Sequence, residues 1–491
     1  MLRRLRALAI SFIVFAFFIV EIPAAQATTS WTPPLEISAP LTDSNAPQVV
    51  SDSSGNFITL FQNKVGSNFE IRSSYSTDFG TTWSAPATIS SGTSAVNPNI
   101  ISVGPRAFVA VWNQNDGTTT RVASAKTTDN GVTWSSPVYI SIAGQNTRAA
   151  DIAFDGQNSL GVVWTRQLSG FTYSTTASGS SDLGTTWATP QDLTSTTPGS
   201  ISPQIASTGT GSFVAMWHRL TSPVGVQSSS TTNSGTTWSA PTLASDAAVA
   251  SSYPQLVSTS SNKVVATWLQ DISSVNVLSS SISLNNGATW STPVRISNPS
   301  STSTAAQLIR TANGTLVSVW YQNIGSGDQI LSSRSVNDGA AWSAPTLVSS
   351  QTACYIPQIA ADSSSTLTVA WLCGQSPNSV ISVSTSTDNA SSWAQPTALT
   401  QSPLFGDFVS LAVSPAGDTT AAWQMNYSGQ LYKVYSSSYI VSVVPPQPQP
   451  NTLPPTGVNS SLEHFAIWLL ASGVVFLGVR RISRKKTLPT C

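Results

Sequence analysis

Eight tryptophans, Trp31, Trp83, Trp134, Trp187, Trp238, Trp290, Trp342 and Trp393, lie 52, 51, 53, 51, 52, 52 and 51 residues apart, and each is followed by a proline after one or two variable positions. Spacing this regular means one small module repeated. A second register runs in phase with it, where an apolar or β-branched run ends in an aromatic: Phe61, Trp112, Trp164, Trp217, Trp268, Trp320, Trp371 and Trp423. A period near 50 built from short strands belongs to a propeller or an array.

Each module reads as four short strands separated by Gly, Asn, Asp and Ser clusters. In the third module these are residues 151–154, 160–164, 171–175 and 186–193. A four-stranded unit cannot bury both its faces alone, so neighbouring units must stack. The chain opens with half a module, Trp31-Thr32-Pro33-Pro34-Leu35-Glu36-Ile37-Ser38, which matches the end of the next one, and residues 408–439 match a first half. The halves complement each other. The expectation is an all-β β-propeller over residues 28–440, with eight four-stranded blades and the last one closed by both chain ends, which removes the open edge. Seven blades with frayed ends is the alternative.

Composition narrows the function classes. Only 9% of residues are charged, and residues 28–440 hold 13 Lys and Arg against 19 Asp and Glu, a net charge of −6. A domain so poor in cations has no surface for neutralising phosphates, so nucleic acid is not an expected partner. No phosphate loop or nucleotide fingerprint occurs, and no cofactor is expected. The two histidines, His218 and His464, are far apart. They support neither a His-based metal site nor a Ser-His-Asp triad, so no metal is expected.

The ends read as targeting segments. Arg3, Arg4 and Arg6, an apolar stretch over 7–20 and Ala25-Gln26-Ala27 form a signal peptide over 1–27, with cleavage before Thr28; a retained anchor is the alternative. Residues 441–452 are a Pro/Gln-rich linker that would act as a semi-rigid spacer. After it come Leu453-Pro454-Pro455-Thr456-Gly457, an apolar segment at 465–479 and the cations Arg480, Arg481, Arg484, Lys485 and Lys486. This order, over 453–491, resembles the LPXTG cell-wall sorting signal of Gram-positive surface proteins. The resemblance implies cutting by a sortase between Thr456 and Gly457, joining to peptidoglycan, and passage through the membrane on the 465–479 helix. The apolar stretch is short for a span of ~20 residues, and the cations hold its end inside. The expected location is therefore the surface of a Gram-positive-type bacterium, with a plain membrane anchor as the alternative.

Cysteine use fits an oxidising compartment. Cys354 precedes one strand and Cys373 follows the next, and a hairpin turning near Ser363 and Ser364 places them opposite each other. They are expected to form a cross-strand disulfide, with two buried thiols as the alternative.

Between the third and fourth strands sits a recurring octapeptide, first as Ser76-Thr77-Asp78-Phe79-Gly80-Thr81-Thr82-Trp83 and then ending at Trp134, Trp187, Trp238, Trp290, Trp342 and Trp393. This S-x-D-x-G-x-T-W pattern resembles the Asp box, or BNR repeat, of the sialidase-like β-propellers. Its Asx residues, Asp78, Asp129, Asp182, Asn233, Asn285, Asn337 and Asp388, read as turn formers, because exchange of Asp for Asn discards the charge a metal or acid would need. Ala390 replaces the glycine in the seventh copy, so that turn should be the most strained.

With the boxes on one face, the opposite face carries the loops between second and third strands and those joining blades. Residues there form the candidate ligand site: Asn113, Asp116, Arg148, Asp151, Arg166, His218, Arg219, Asp271, Tyr321 and Gln322. Amides recur among them, and an amide donates and accepts in one planar group, as sugar hydroxyls require. The resemblance to sialidases implies an arginine triad gripping a carboxylate, a Tyr/Glu nucleophile pair and an Asp acid. The early strand reads Ala46-Pro47-Gln48-Val49, without the family's arginine, and Glu36 and Glu70 are the only glutamates in 28–440. Arg148, Arg166, Arg219 and Arg310 remain the conceivable anion clamp, with Asp116, Asp151 or Asp271 as acid. The sequence thus favours non-catalytic binding of glycan or another surface ligand, over an exo-sialidase with a non-standard site or a structural surface-layer component.

Overall fold

The computed structural model describes residues 30–170, 172–194, 199–374, 378–401, 405–426 and 431–441. The signal peptide, the sorting signal with Thr456 and Gly457, the 465–479 helix and all of the linker after Val441 lie outside the described residues.

Eight antiparallel sheets of four strands make eight blades. Blades 1 to 7 span residues 43–88, 94–139, 147–192, 200–243, 251–295, 303–347 and 354–398. Blade 8 takes three strands from 405–439 and its fourth from Leu35–Glu36, where Leu35 pairs with Ser436 and Glu36 with Tyr435. The fourth strand has two residues in every blade, shorter than the 186–193 expected in blade 3, because the proline after each box tryptophan has no N–H for the ladder. Among the described residues there is no helix, hence none long and apolar enough to cross a membrane.

First strands of successive blades neighbour one another around the ring, and the first strand of blade 8 meets that of blade 1, so these strands surround the axis. The cores lie between blades. Between blades 1 and 2, Ile58, Leu60 and Ile71 meet Ile100, Phe108 and Trp112; equivalent clusters hold Trp164, Trp217, Trp268, Trp320, Trp371 and Trp423. All eight second-strand aromatics are buried. A buried tryptophan is worth about 3–5 kcal/mol against alanine. The second sequence register is therefore the inter-blade core.

The boxes close their turns through side chains. Ser76 Oγ accepts from Gly80 N–H (2.8 Å) and donates to Asp78 Oδ1 (2.8 Å), while Thr82 donates its N–H to Asp78 Oδ1 (2.9 Å) and its hydroxyl to Oδ2 (2.6 Å). In the Asn233 and Asn285 boxes the last bond reverses: the amide donates to Thr237 (2.8 Å) or Thr289 (2.9 Å). The turn keeps its geometry without the charge. Phe79 and Gly80 both hold positive φ, as do Asn389 and Ala390, so Ala390 pays the steric cost of a left-handed residue that glycine avoids in the other boxes.

Five of the seven boxes also staple blade to blade. The indole N–H groups of Trp134, Trp187, Trp290, Trp342 and Trp393 donate to Ser73, Ser124, Ser228, Ser280 and Ser332 of the preceding blade, at 2.7–3.2 Å. Trp238 meets Ala177 at that position and its N–H is buried without a partner.

Cys354 and Cys373 are direct partners across the hairpin of blade 7 and form a disulfide. Replacing both by serine is expected to lower stability by about 2 kcal/mol, the low end for such a bridge because the blade is already held on both sides. Urea unfolding of the double variant checks this; an unchanged midpoint would show that the bridge adds nothing to the ladder.

Candidate binding site at the axial mouth

Alternation of strand direction puts the box turns and the turns between first and second strands on one face. The opposite face holds the loops between second and third strands and the blade connections. On that face every first strand breaks its register, between Asn45 and Gln48 in blade 1 and at the equivalent place in the others. At each break one non-glycine residue takes a positive φ of 47–55°: Ala46, Asn97, Ala149, Ser202, Tyr253, Ala305, Ile356 and Phe408. Each such residue costs of order 1–3 kcal/mol. Eight in one ring mark a feature that the fold imposes at this mouth, and bulges of this kind re-aim side chains.

Two layers result. Tyr253, Phe408 and Ile356 are 62%, 58% and 36% exposed on the rim. Two positions further in stand Gln48, Asn99, Asp151, Gln204, Gln255, Gln307, Gln358 and Ser410. A cavity of about 310 Å³ opens here, bounded by Gln48, Asn99, Gln358, Phe408 and Ser410 among others. The layer is knit from blade to blade: Asn99 Nδ2 donates to Asp151 Oδ1 (3.0 Å), Ile205 N–H to Asp151 Oδ2 (3.0 Å) and Val49 N–H to Ser410 Oγ (3.0 Å). Asp151 is the one carboxylate of the layer. Burial raises its pKa to about 6, against the opposing pull of the Ile205, Ile152 and Asn99 hydrogen bonds.

The other candidates go elsewhere. Asn113 is buried and donates to Thr147 Oγ1 (3.2 Å); Gln322 is buried, accepting from the Trp320 indole (3.2 Å) and donating to the Asn298 (2.8 Å) and Ser301 (2.5 Å) carbonyls. These amides serve the fold and cannot reach a ligand. Asp116 closes its own turn, where the Thr119 N–H and the Thr118 hydroxyl and N–H hold its pKa at about 2. Arg148 lies over the Tyr173 ring at 3.8 Å, Arg166 is paired with Asp192, and Arg219 bonds Thr221 Oγ1 (3.1 Å) and the Ser222 carbonyl (2.9 Å). Arg310 ends its strand on the box face. The four arginines therefore do not assemble a clamp. Tyr321 packs edge-on against Tyr355 at 5.3 Å, and Asp271 lines a separate cavity on blade 5 with Asp246 and Arg295. His218 lies 6.2 Å from Tyr253, and burial lowers its pKa.

A glycosidase of the usual kind needs two carboxyl groups flanking the bond. Among the described side chains of the inner layer Asp151 is the one carboxylate, and Glu36 is paired with Lys433 (3.5 Å) and Glu70 with Arg72 (2.6 Å). The sequence reading missed most of this layer. Its signal was present as a Pro-Gln or Pro-Asn step in phase with the repeat, at Pro47, Pro98, Pro203, Pro254 and Pro357. Proline suits it, because a strand edge facing the axis has no ladder partner for the missing N–H.

Neither a protein-family model nor a curated protein matches the sequence. Among solved structures, a protein of unknown function from Dyadobacter fermentans is 14% identical with a TM-score of 0.44, covering 85% of this chain and all of its own. A polysaccharide lyase, the PL25 ulvan lyase, is 11% identical with a TM-score of 0.45, covering 68% and 90%. The NanB sialidase of Streptococcus pneumoniae is 13% identical with a TM-score of 0.37, covering 83% and 70%. The architecture of this chain rests on its own strand pairing, and no substrate passes to it from these likenesses.

Proposed function

We propose that this is an exported, wall-anchored propeller that binds carbohydrate or another surface ligand at the axial mouth without cleaving it. The observation that carries the reading is the mouth itself, a rim of exposed Tyr253, Ile356 and Phe408 over a layer of amides with a single carboxylate. Aromatic and apolar rims take the faces of sugar rings, and amides beneath them match hydroxyls, whereas the described side chains of the layer hold one carboxyl group where hydrolysis uses two. Export and anchoring are supported by Ala25-Gln26-Ala27 and by Leu453-Pro454-Pro455-Thr456-Gly457 with its apolar and basic sequel.

The purified protein is expected to leave a fluorogenic sialoside intact and to bind a subset of an immobilised glycan panel. In the double variant Tyr253→Ala, Phe408→Ala that binding should weaken at least tenfold with the melting temperature unchanged. Turnover that Asp151→Asn abolishes would make the chain an enzyme instead. For the anchoring half, chemical analysis of wall-released protein should find Thr28 first and Thr456 last.

A further inference from the structure

Seven boxes fill seven of the eight grooves between blades on the box face. In blade 4 the turn packs onto the third strand of blade 3 so closely that a Cβ on Gly179 would lie 2.0 Å from the Ser234 carbonyl oxygen. Blade 8 cannot supply such a turn, because its third strand ends near Tyr439 and its fourth begins after Trp31, at opposite ends of the chain. Where the eighth box would sit, a cleft of about 530 Å³ opens between blades 7 and 8. Thr385, the counterpart of Gly179, is in its wall.

Three features mark this cleft. Val383 stands where blades 1, 2, 4, 5 and 6 carry the serine that receives the box indole, so the Trp31 indole N–H, like those of Trp83 and Trp238, makes no hydrogen bond to a described residue. Asp52 and Asp155 give their second carboxylate oxygen to a backbone N–H of the next blade, from Arg106 (2.6 Å) and Gly211 (2.9 Å). Their counterpart in blade 7, Asp362, binds its own turn through Oδ1, from Ser364 Oγ (2.8 Å) and Thr366 N–H (2.7 Å), and accepts nothing at Oδ2. Trp31 and Tyr439 form an aromatic pair at 6.1 Å, tilted by 48°, against a wall of threonine and serine hydroxyls.

We infer that this cleft is a second binding site, distinct from the mouth, and that its ligand is a neutral saccharide. A free indole donor, a free carboxylate acceptor and an aromatic pair are the groups that take a sugar's hydroxyls and its C–H face, and 530 Å³ lies within the range of small-ligand sites. No Lys or Arg is among the described residues lining the cleft, and Asp362 is there, so anionic sugars and phosphates are repelled.

The full-length protein is titrated with maltotetraose, cellotetraose and chitotetraose, read by saturation-transfer NMR and calorimetry. At least one is expected to bind. Thr385→Trp, which fills the cleft, should abolish that binding, and Asp362→Asn, which keeps the Oδ1 turn bonds, should weaken it about tenfold with the melting temperature held. The rim variant Tyr253→Ala, Phe408→Ala should leave it unchanged. No binding of any of the three, binding indifferent to both cleft variants, or displacement by the peptide STDFGTTW would overturn the inference. Loss only in the rim variant would also overturn it and assign the sugar to the mouth.

Discussion

Gly179→Ala is expected to destabilise the propeller by about 3 kcal/mol or more, the upper end of what overpacking costs, because the collision is with backbone on both sides. Its new Cβ would lie 2.0 Å from the Ser234 carbonyl oxygen and 2.7 Å from Gly235 Cα, and neither atom can move without opening the box turn of blade 4. Blades 3 and 4 must then part, taking with them the cluster around Trp217. The same substitution at Gly144, where a Cβ meets nothing within 4 Å but φ is +79°, should cost only the backbone strain of about 1 kcal/mol. Urea unfolding of both variants checks the contrast. Equal midpoints would mean that the blade interface yields easily and that the boxes are not staples.

The second large effect concerns pH. Asp151 has its pKa raised from 3.8 to about 6, so the native protein binds a proton there that the unfolded chain has released between those values. Stability from this group is fully present below about pH 4 and is lost as pH rises through 6. The two pKa values bound the loss at about 3 kcal/mol, an upper limit since the carboxylate is only partly shielded at the mouth. Asp116 and Asp388, both lowered to about 2, act the other way and only in more acid solution. Asp151→Asn should therefore lack the parent's fall in stability between pH 4 and 6, leaving the opposite, rising contribution of His218, whose pKa burial lowers. A profile identical to the parent's would show that Asp151 stays ionised throughout.

The repeat made the fold legible because two independent registers, the box tryptophan and the core aromatic, kept the same phase over eight cycles. The complementary half-modules at the ends named the closing blade for the same reason, and symmetry of position across one turn was enough to pair Cys354 with Cys373. The site was less legible. Gln322 looked like a ligand amide, yet a buried Trp320 indole needs an acceptor and Gln322 is the one within reach. The bulges left no shared residue type, since Ala46, Asn97, Ser202, Tyr253 and Phe408 have in common only a backbone angle set by ring geometry. What the sequence does carry there, the recurring Pro-Gln step, lies on the first strand, whereas most of the candidates lie after the second.

The closing strand has a mechanical consequence. Leu35–Glu36 is held to the ring by pairing with the third strand of blade 8, whose continuation at Val441 leaves on the face opposite the mouth. A pull transmitted from a ligand at the mouth to Val441 runs along that third strand, which is flanked by ladders on both sides, and must shear them together. The amino-terminal strand shares that load only in shear, through two residue pairs, while the seven-pair ladder to the second strand of blade 8 bears most of it.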